Sequence, residues 1–527
     1  MSIASEITRL QEAKADIKTA IENKGVTVPA AATLDEYASL VDSISGGGGG
    51  DVTVEDKDVQ YIDYDGTIVA QYDADEFLAL TAHPSNPNHT SEGLLAQGWN
   101  WTLADAKTYV TNHGMLVIGQ MYTTTDGATR IKIDLNLLPS LSLPLTVCVS
   151  QNVQRGTTLD WGDGSEIETF VGVNNISTLT HVYDTVGEYT LVISPQSGTS
   201  INFGVNTGNF IFTGNAITQP TAPYYVCVKS IQIGDNVNNV YGGMFYNCEY
   251  ITMSSGVKLV YLNYLHKIKS LTLPDTTTGF YLRECFEMRS ISLNSGPTAL
   301  QANALDSCYN LLKLCIPDTV DTINNYAITN LIKIKRLSLS NSLSTIMNVQ
   351  RPYELESLVI PDNMTTIGTY AFQNAQSLRK LVIGNGVTSI GQQCFENSIM
   401  LKEIVFGNSL TTIGTGVNTL NAIHSMETLT IPDTVTTIGG GAFRYGGCLK
   451  TLVIGSGVTT IGNAAFANYP VIESITIKAT TPPTLGGANT FAATNNCPIY
   501  VPNGCLSAYQ SATGWTAFAS RMVESNS

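Results

Sequence analysis

Between residues 231 and 477 one short string returns twelve times, an apolar-x-apolar triplet usually followed by a turn and a run close to Val-Thr-Thr-Ile-Gly. The cleanest copies are LVIPDNMTTIG from Leu358 to Gly368, LVIGNGVTSIG from Leu381 to Gly391, LTIPDTVTTIG from Leu429 to Gly439 and LVIGSGVTTIG from Leu452 to Gly462. The triplets begin at Ile231, Ile251, Leu271, Ile291, Leu314, Leu337, Leu358, Leu381, Ile404, Leu429, Leu452 and Ile475, a spacing of 20 to 25 residues. One such unit cannot bury its own apolar face, so a fixed period of this size implies a stack of identical rungs, a solenoid. Solenoids present extended surfaces, which points to binding before any site is considered.

Within a rung, residues such as Leu381 and Ile383 share one face of a period-two strand, and Leu378 adds to the same core. Val387 and Ile390 mark a second short segment, and Ala371-Phe372, Ala442-Phe443 and Ala465-Phe466 mark the return leg. End rungs expose unpaired strand edges and need caps. The stretch after Pro498, with Tyr500, Tyr509, Trp515 and Phe518, is expected to close the far end. The string L-x-I-P-x-x-V-T-x-I-G-x-x-A-F resembles the BspA-like leucine-rich repeats of bacterial surface proteins. The match is strong from about 355 to 480 and degenerate from 231 to 350, where Thr276–Tyr281 and Gly296–Leu300 lose the Thr-Thr-Ile-Gly element.

The 527 residues exceed one globular core, so several domains are expected. Apolar residues make up 43% and charged residues 13%, which is not a disordered composition. A net charge of −16 argues against binding to a phosphate backbone, which needs clustered Lys and Arg. The ten cysteines form no CxxC pair and no Cys/His set at metal-ligand spacing. Cys227, Cys285, Cys308, Cys315, Cys394 and Cys448 read as small buried hydrophobes in the repeats, and Cys497 and Cys505 are the one pair close enough for a local bridge. The start has neither a basic region nor an apolar core of the secretory type, and no window of 18 uninterrupted apolar residues occurs, so no membrane insertion is expected.

The reading is a multidomain, mainly β chain. Residues 1–45 are helical: Ile3, Ile7, Leu10, Lys14, Ile17 and Ile21 form an a/d seam with one polar interruption, and Thr33 opens a second short helix. They read as an anchor or oligomerisation segment. Residues 46–50 are five glycines, a flexible linker. Residues 51–138 read as a small α+β module, with a hairpin turning at Asp65-Gly66, helices over Asp73–Leu80 and Thr102–Asn112, and strands over Met115–Met121 and Thr129–Leu135. Residues 139–197 carry LDWGDGS from Leu159 to Ser165, then His181-Val-Tyr183 and Gly187-Glu-Tyr189, and resemble the PKD family of immunoglobulin-like sandwiches. In that resemblance Trp161, Tyr183, Tyr189 and Leu191 supply core, and a spacer or adhesion module is implied. Residues 198–480 form the leucine-rich-repeat solenoid and 481–527 its C-terminal cap.

Catalytic candidates are few. Asp63-Tyr-Asp-Gly-Thr67 matches the DxDGT nucleophile motif of haloacid-dehalogenase-type phosphatases, but no βαβ series or distal acidic pair accompanies it, and a β-hairpin is the better reading. His83, His89, His113, His181, His266 and His424 are scattered without metal-ligand spacing, and His181 belongs to the sandwich signature. Asp160, Asp163 and Asp184 could meet around calcium, yet turn formation explains them more simply. The expectation is therefore no enzyme, with no catalytic residue, no cofactor-binding residue, no metal site and no cofactor.

The helical start, the stretch from Gly93 to Lys107 and the sandwich-plus-repeat tail together resemble structural proteins of tailed bacteriophages. That resemblance implies a virion tail or head fibre, made in the host cytoplasm and displayed as a surface appendage. It would dock to other virion proteins through residues 1–45, form a homotrimer, and present the repeats to a host surface protein or glycan. Its partners would include no nucleic acid. The alternative is a bacterial cell-surface adhesin of the BspA-like kind.

Overall fold

Alternation within each triplet sends its first and third residues inward, and stacking sets each triplet beside the next. The computed structural model describes residues 57–138, 141, 144–204, 211–212 and 226–525. The expected helices of residues 1–45 and the tether 46–50 lie outside the described residues. From Val59 onward the chain is one structural unit.

All twelve triplets fall on short strands, and wherever neighbouring triplet strands pair they do so in parallel. Ile231 stands opposite Ile251, Leu271 opposite Ile291, Leu314 opposite Leu337, and Leu358, Leu381 and Ile404 follow one another across three strands. The degenerate copies that pair therefore do so in the same register as the clean ones. A second ladder of two-residue strands runs alongside, pairing Ile346, Ile367, Ile390, Ile413, Ile438, Ile461 and Leu485 in order. Return legs stack phenylalanines: Phe443 on Phe466 at 5.5 Å and Phe466 on Phe491 at 5.8 Å between ring centres, all nearly parallel. The first threonine of each Thr-Thr pair stitches rungs together, since Thr365, Thr388, Thr411 and Thr459 each donate a hydroxyl proton to the preceding rung's carbonyl at 3.1 Å.

Phe491 and the strand Ile499–Val501 continue the pattern past residue 480. Residues 481–505 are thus a further rung rather than part of a cap. Closure falls to the helix Leu506–Ser511, the 3-10 turn Thr516–Arg521 and a last parallel strand Met522–Glu524, with Trp515 fully buried and donating to the Pro483 carbonyl at 2.7 Å.

The near end is closed by the sandwich, which was expected as a separate spacer or adhesion module. Residues 145–195 form an antiparallel two-sheet sandwich, but both of its sheets run straight into the solenoid. In one sheet, strand Thr129–Asp134 lies between sandwich strand Glu188–Pro195 and the first triplet strand Val228–Gln232. In the other, Ile201–Phe203 pairs antiparallel with Leu145–Gln151 on one side and parallel with Val237–Gly243 on the other. The expected boundaries at 138 and 197 therefore shift: the strand Thr129–Asp134 leaves the α+β module for the sandwich sheet, and Ile201–Phe203 stays with the sandwich. One hydrophobic core extends from Ile131 through Met522. Trp161, fully buried, packs against His181 at 5.0 Å and accepts at its carbonyl a 2.8 Å bond from the Tyr183 hydroxyl. Gly162 (φ 81°) brings its backbone against that of Thr190, where a Cβ would meet the Thr190 carbonyl oxygen at 2.4 Å.

The α+β module comprises strands Val59–Ile62, Ile68–Tyr72, Leu94–Trp99 and Leu116–Thr124 with helices Ala74–Leu78 and Leu103–His113. Thr102 caps the longer helix by accepting from the Asp105 amide at 3.1 Å, and Gly114 ends it in the left-handed region at φ 69°. Strand Leu116–Thr124 is buried along its whole length. It lies against the outer face of the triplet sheet, so the module is folded back onto the solenoid.

Candidate binding surfaces of the solenoid

The middle residue of each triplet points away from the core, and these residues divide the sheet in two. In the first six rungs they are Gln232, Thr252, Thr272, Ser292, Cys315 and Ser338, each at most 8% exposed. From the seventh rung they are Val359, Val382, Val405, Thr430, Val453 and Thr476, with Val359 at 59% and Val405 at 44% exposure. The α+β module covers the first set. Asn100 donates to the Leu273 carbonyl at 3.0 Å while its oxygen accepts from the Gly119 amide at 2.9 Å and from the Ser292 hydroxyl at 3.0 Å. Trp101 donates to the Leu293 carbonyl at 2.7 Å, and the Tyr109 hydroxyl donates to the Ile316 carbonyl at 2.9 Å. Cys315 joins the module's own apolar core. Gly119 sits so close to Thr272 that a Cβ would lie 2.1 Å from its hydroxyl.

The small polar middle residues of the first rungs fit this contact, because they let a strand and the rings of Trp101 and Tyr109 approach the sheet. The later rungs leave a stripe of valines and threonines in solvent. Ion pairs between neighbouring rungs flank it, Lys380 with Glu403 and Lys450 with Glu427, each at 3.0 Å. An exposed apolar strip with polar margins has the anatomy of an interface core and rim.

The residues weighed as catalytic candidates occupy the following places in the fold. Asp63 through Thr67 is a hairpin turn, closed by Asp63 N–H to the Thr67 carbonyl at 2.9 Å, with Gly66 at φ 90°. Asp63 is 4% exposed and belongs to a cluster the sequence did not suggest. His89 bridges Asp63 at 2.8 Å and Glu92 at 3.1 Å through its two ring nitrogens, Tyr122 donates to Asp63 at 2.7 Å, and Tyr64 donates to Glu92. Burial alone would lower the His89 pKa, but its bonds and charge interactions with Asp63 and Glu92 raise it above the ordinary value. The Tyr64 hydroxyl and then His89 hold Glu92 below the usual carboxylate range. Both nitrogens of His89 are taken, so the cluster reads as a pin for the hairpin. Nothing in the spacing of residues 63, 89, 92 and 122 signals it.

The other histidines stay apart. His83 meets the Tyr61 hydroxyl at 2.8 Å, His113 stacks on Tyr109 and pairs with Asp318 at 2.9 Å, and His266 stacks on Phe286 at 4.4 Å. His424 lies beside Gly447, far along the solenoid from these. Asp160 accepts from the Gly162 amide at 2.8 Å and Asp163 from the Ser165 amide at 3.0 Å, which makes both turn formers, and Asp184 is exposed. Burial opposes ionisation of Asp163, yet its Ser165 and His181 bonds outweigh it and bring its pKa to about 2. All ten cysteines are free thiols, Cys497 and Cys505 included, and Cys448 is exposed where a buried position was expected. Among the described residues no helix is long and apolar enough to cross a membrane.

Six copies of the BspA type leucine rich repeat region match this chain, over residues 261–350, 350–471 and 416–516. Residues 261–516 are BspA-type leucine-rich repeats. The match reaches back into the degenerate rungs, although the triplet register extends further, to Ile231. No curated protein matches. Among solved structures, a leucine-rich repeat protein from Bacteroides ovatus is 17% identical, over 57% of this chain and 91% of its own, with a TM-score of 0.38. The pneumococcal vaccine antigen PcpA is 18% identical over 58% and 81%, with a TM-score of 0.36. A leucine rich cell surface protein from Faecalibacterium prausnitzii is 20% identical over 49% and 69%, with a TM-score of 0.30.

Proposed function

We propose that this chain is a surface-displayed recognition protein, without catalytic activity, that binds its partner through the free half of the triplet sheet. The observation that carries the reading is the change at Val359: the same row of positions that is buried under the α+β module in six rungs becomes an exposed Val/Thr stripe in the rungs that follow. Repetition multiplies weak contacts along such a stripe. The BspA-type repeats favour display on a bacterial cell surface, as an adhesin. The test is twofold. Intact cells are treated with protease and the chain is followed by antibody, and purified protein is scored for adhesion to candidate host cells beside Val359→Glu/Val405→Glu. Surface protection from protease, or adhesion unchanged in the double variant at wild-type melting temperature, refutes the reading.

A second reading, a virion fibre or appendage in which the sandwich is PKD-like, is favoured by one sequence observation: the a/d seam from Ile3 to Ile21 followed by five glycines suits a trimeric anchor on a tether. Purified particles that lack the chain would eliminate it.

A further inference from the structure

On the second sheet of the solenoid, away from the triplet face, the junction with the sandwich carries a row of residues that no structural need explains. Ser150, Asn202 and Asn239 stand directly opposite one another across three adjacent strands. Their chain neighbours Val149, Phe203 and Val240 are buried, so the row itself faces outward. With Asn174, Asn175 and Tyr241 these residues line an open surface hollow of about 360 Å³, a volume within the ~300–1,000 Å³ range of small-molecule sites.

Two residues further along the strands the row changes from amide to aromatic. Tyr241, Tyr261 and Tyr281 are in register on neighbouring strands, with ring centres 5.3 and 6.4 Å apart. Each is half-buried, so part of every ring remains open to solvent. The ladder starts at the hollow and leads away from it along the solenoid axis.

We propose that this junction is a binding site for a neutral glycan, with the asparagine-lined hollow holding one sugar and the tyrosine ladder carrying the sugars that follow. The chemistry favours that class. A pyranose has a C–H face and a hydroxyl edge. Tyrosine faces are electron-rich and suit the first, and carboxamides, which both donate and accept, suit the second. Asn239 donates to the Asn202 oxygen at 2.8 Å, which fixes the two amides side by side and leaves the Asn202 NH2 and the Asn239 oxygen outside that bond. Among the described residues, no Lys, Arg, Asp or Glu lines the hollow. An anionic polymer would meet no cation there and a chain of net charge −16 besides. Rung stacking alone accounts for tyrosines in register, but it does not require an amide-lined hollow at the end of the ladder.

The site is separate from the triplet face, so the two readings fail independently. The full-length chain would be run by affinity electrophoresis through gels containing soluble neutral polysaccharides (a β-glucan, a mannan, a galactan), an acidic one (polygalacturonate), or none. Retardation by at least one neutral polymer is expected. Tyr261→Ala and Asn202→Ala should each weaken it about tenfold or more, and Tyr261→Phe, which keeps the ring stack, should bind close to wild type. Val405→Glu, on the other face, should leave it unchanged. Retardation by none of the neutral polymers, by polygalacturonate alone, or equally in wild type and in both alanine variants at unchanged melting temperature overturns the proposal. So does loss of retardation in Val405→Glu.

Discussion

Replacing Trp101 with alanine tests whether the α+β module holds the first half of the triplet face by the contacts described. The indole is 7% exposed and bonds the Leu293 carbonyl at 2.7 Å. Truncating a buried aromatic to alanine costs about 3–5 kcal/mol. At about 1.4 kcal/mol per decade, the population with the module displaced should rise about a hundred- to several-thousand-fold. Cys315 reports it, because its thiol lies on the outer face of the sheet under the module, where burial pushes its pKa up to about 12. Displacement exposes the thiol and returns it towards its ordinary pKa, so alkylation should accelerate by about the same factor. Mass spectrometry of peptides after timed alkylation separates three cysteines. Cys448, already exposed, should label equally in wild type and variant, and Cys148, in the sandwich core, should stay protected in both. An unchanged Cys315 rate in Trp101→Ala refutes the packing argument, as does wild-type Cys315 labelling as fast as Cys448. Acceleration of Cys148 to the same degree would mean global unfolding instead.

The His89 cluster gives a pH prediction. The folded pKa of His89 is raised, so its stabilisation is complete below the unfolded value near 6.5 and is lost as pH rises through the folded one. Glu92 is lowered, so its contribution is present above the ordinary carboxylate range and is lost on acidification through its folded pKa. The module's unfolding temperature, followed by differential scanning fluorimetry, should therefore decline on both sides of mildly acidic pH, and His89→Gln should flatten the alkaline decline. Persistence of that decline in His89→Gln would show that another group titrates. Gly119→Val should force the buried strand off Thr272 and release the module, seen as rapid amide exchange over residues 116–124. Phe466→Ala, which empties the middle of a three-ring stack, should cost about 3–5 kcal/mol and lower the solenoid's unfolding midpoint in urea without altering the module's labelling pattern.

The rungs were legible because their information is local: two inward residues per triplet, repeated at a steady interval, fix strand, register and core together. Helix caps at Thr102 and Gly114 were legible for the same reason. The division of the triplet face was also written in the chain, as Thr252, Thr272, Ser292, Cys315 and Ser338 against Val359, Val382 and Val405, but it can be interpreted only once the middle position is known to face outward and something is known to lie on it. The partner strand Leu116–Thr124 is separated from Ser292 by more than 150 residues, and no periodicity links the two. Sheet continuity between sandwich and solenoid was hidden likewise, since a strand at 129–134 reads as the end of one module until its neighbours at 188–195 and 228–232 are both in view. The cluster of Asp63, His89, Glu92 and Tyr122 assembles from four segments, none of which carries a motif for it.

That shared strand has a kinetic consequence. A rung gains little until a neighbour is in place, and on its near side the first triplet has a neighbour that is not a rung. Strand Thr129–Asp134, once paired with Glu188–Pro195, offers the first triplet a preformed edge across about a hundred residues of chain, the kind of distant closure that makes folding slow. Each later rung closes a loop of only 20 to 25 residues and can zip on in turn. Synthesis delivers the segments in that same order, sandwich first and cap last.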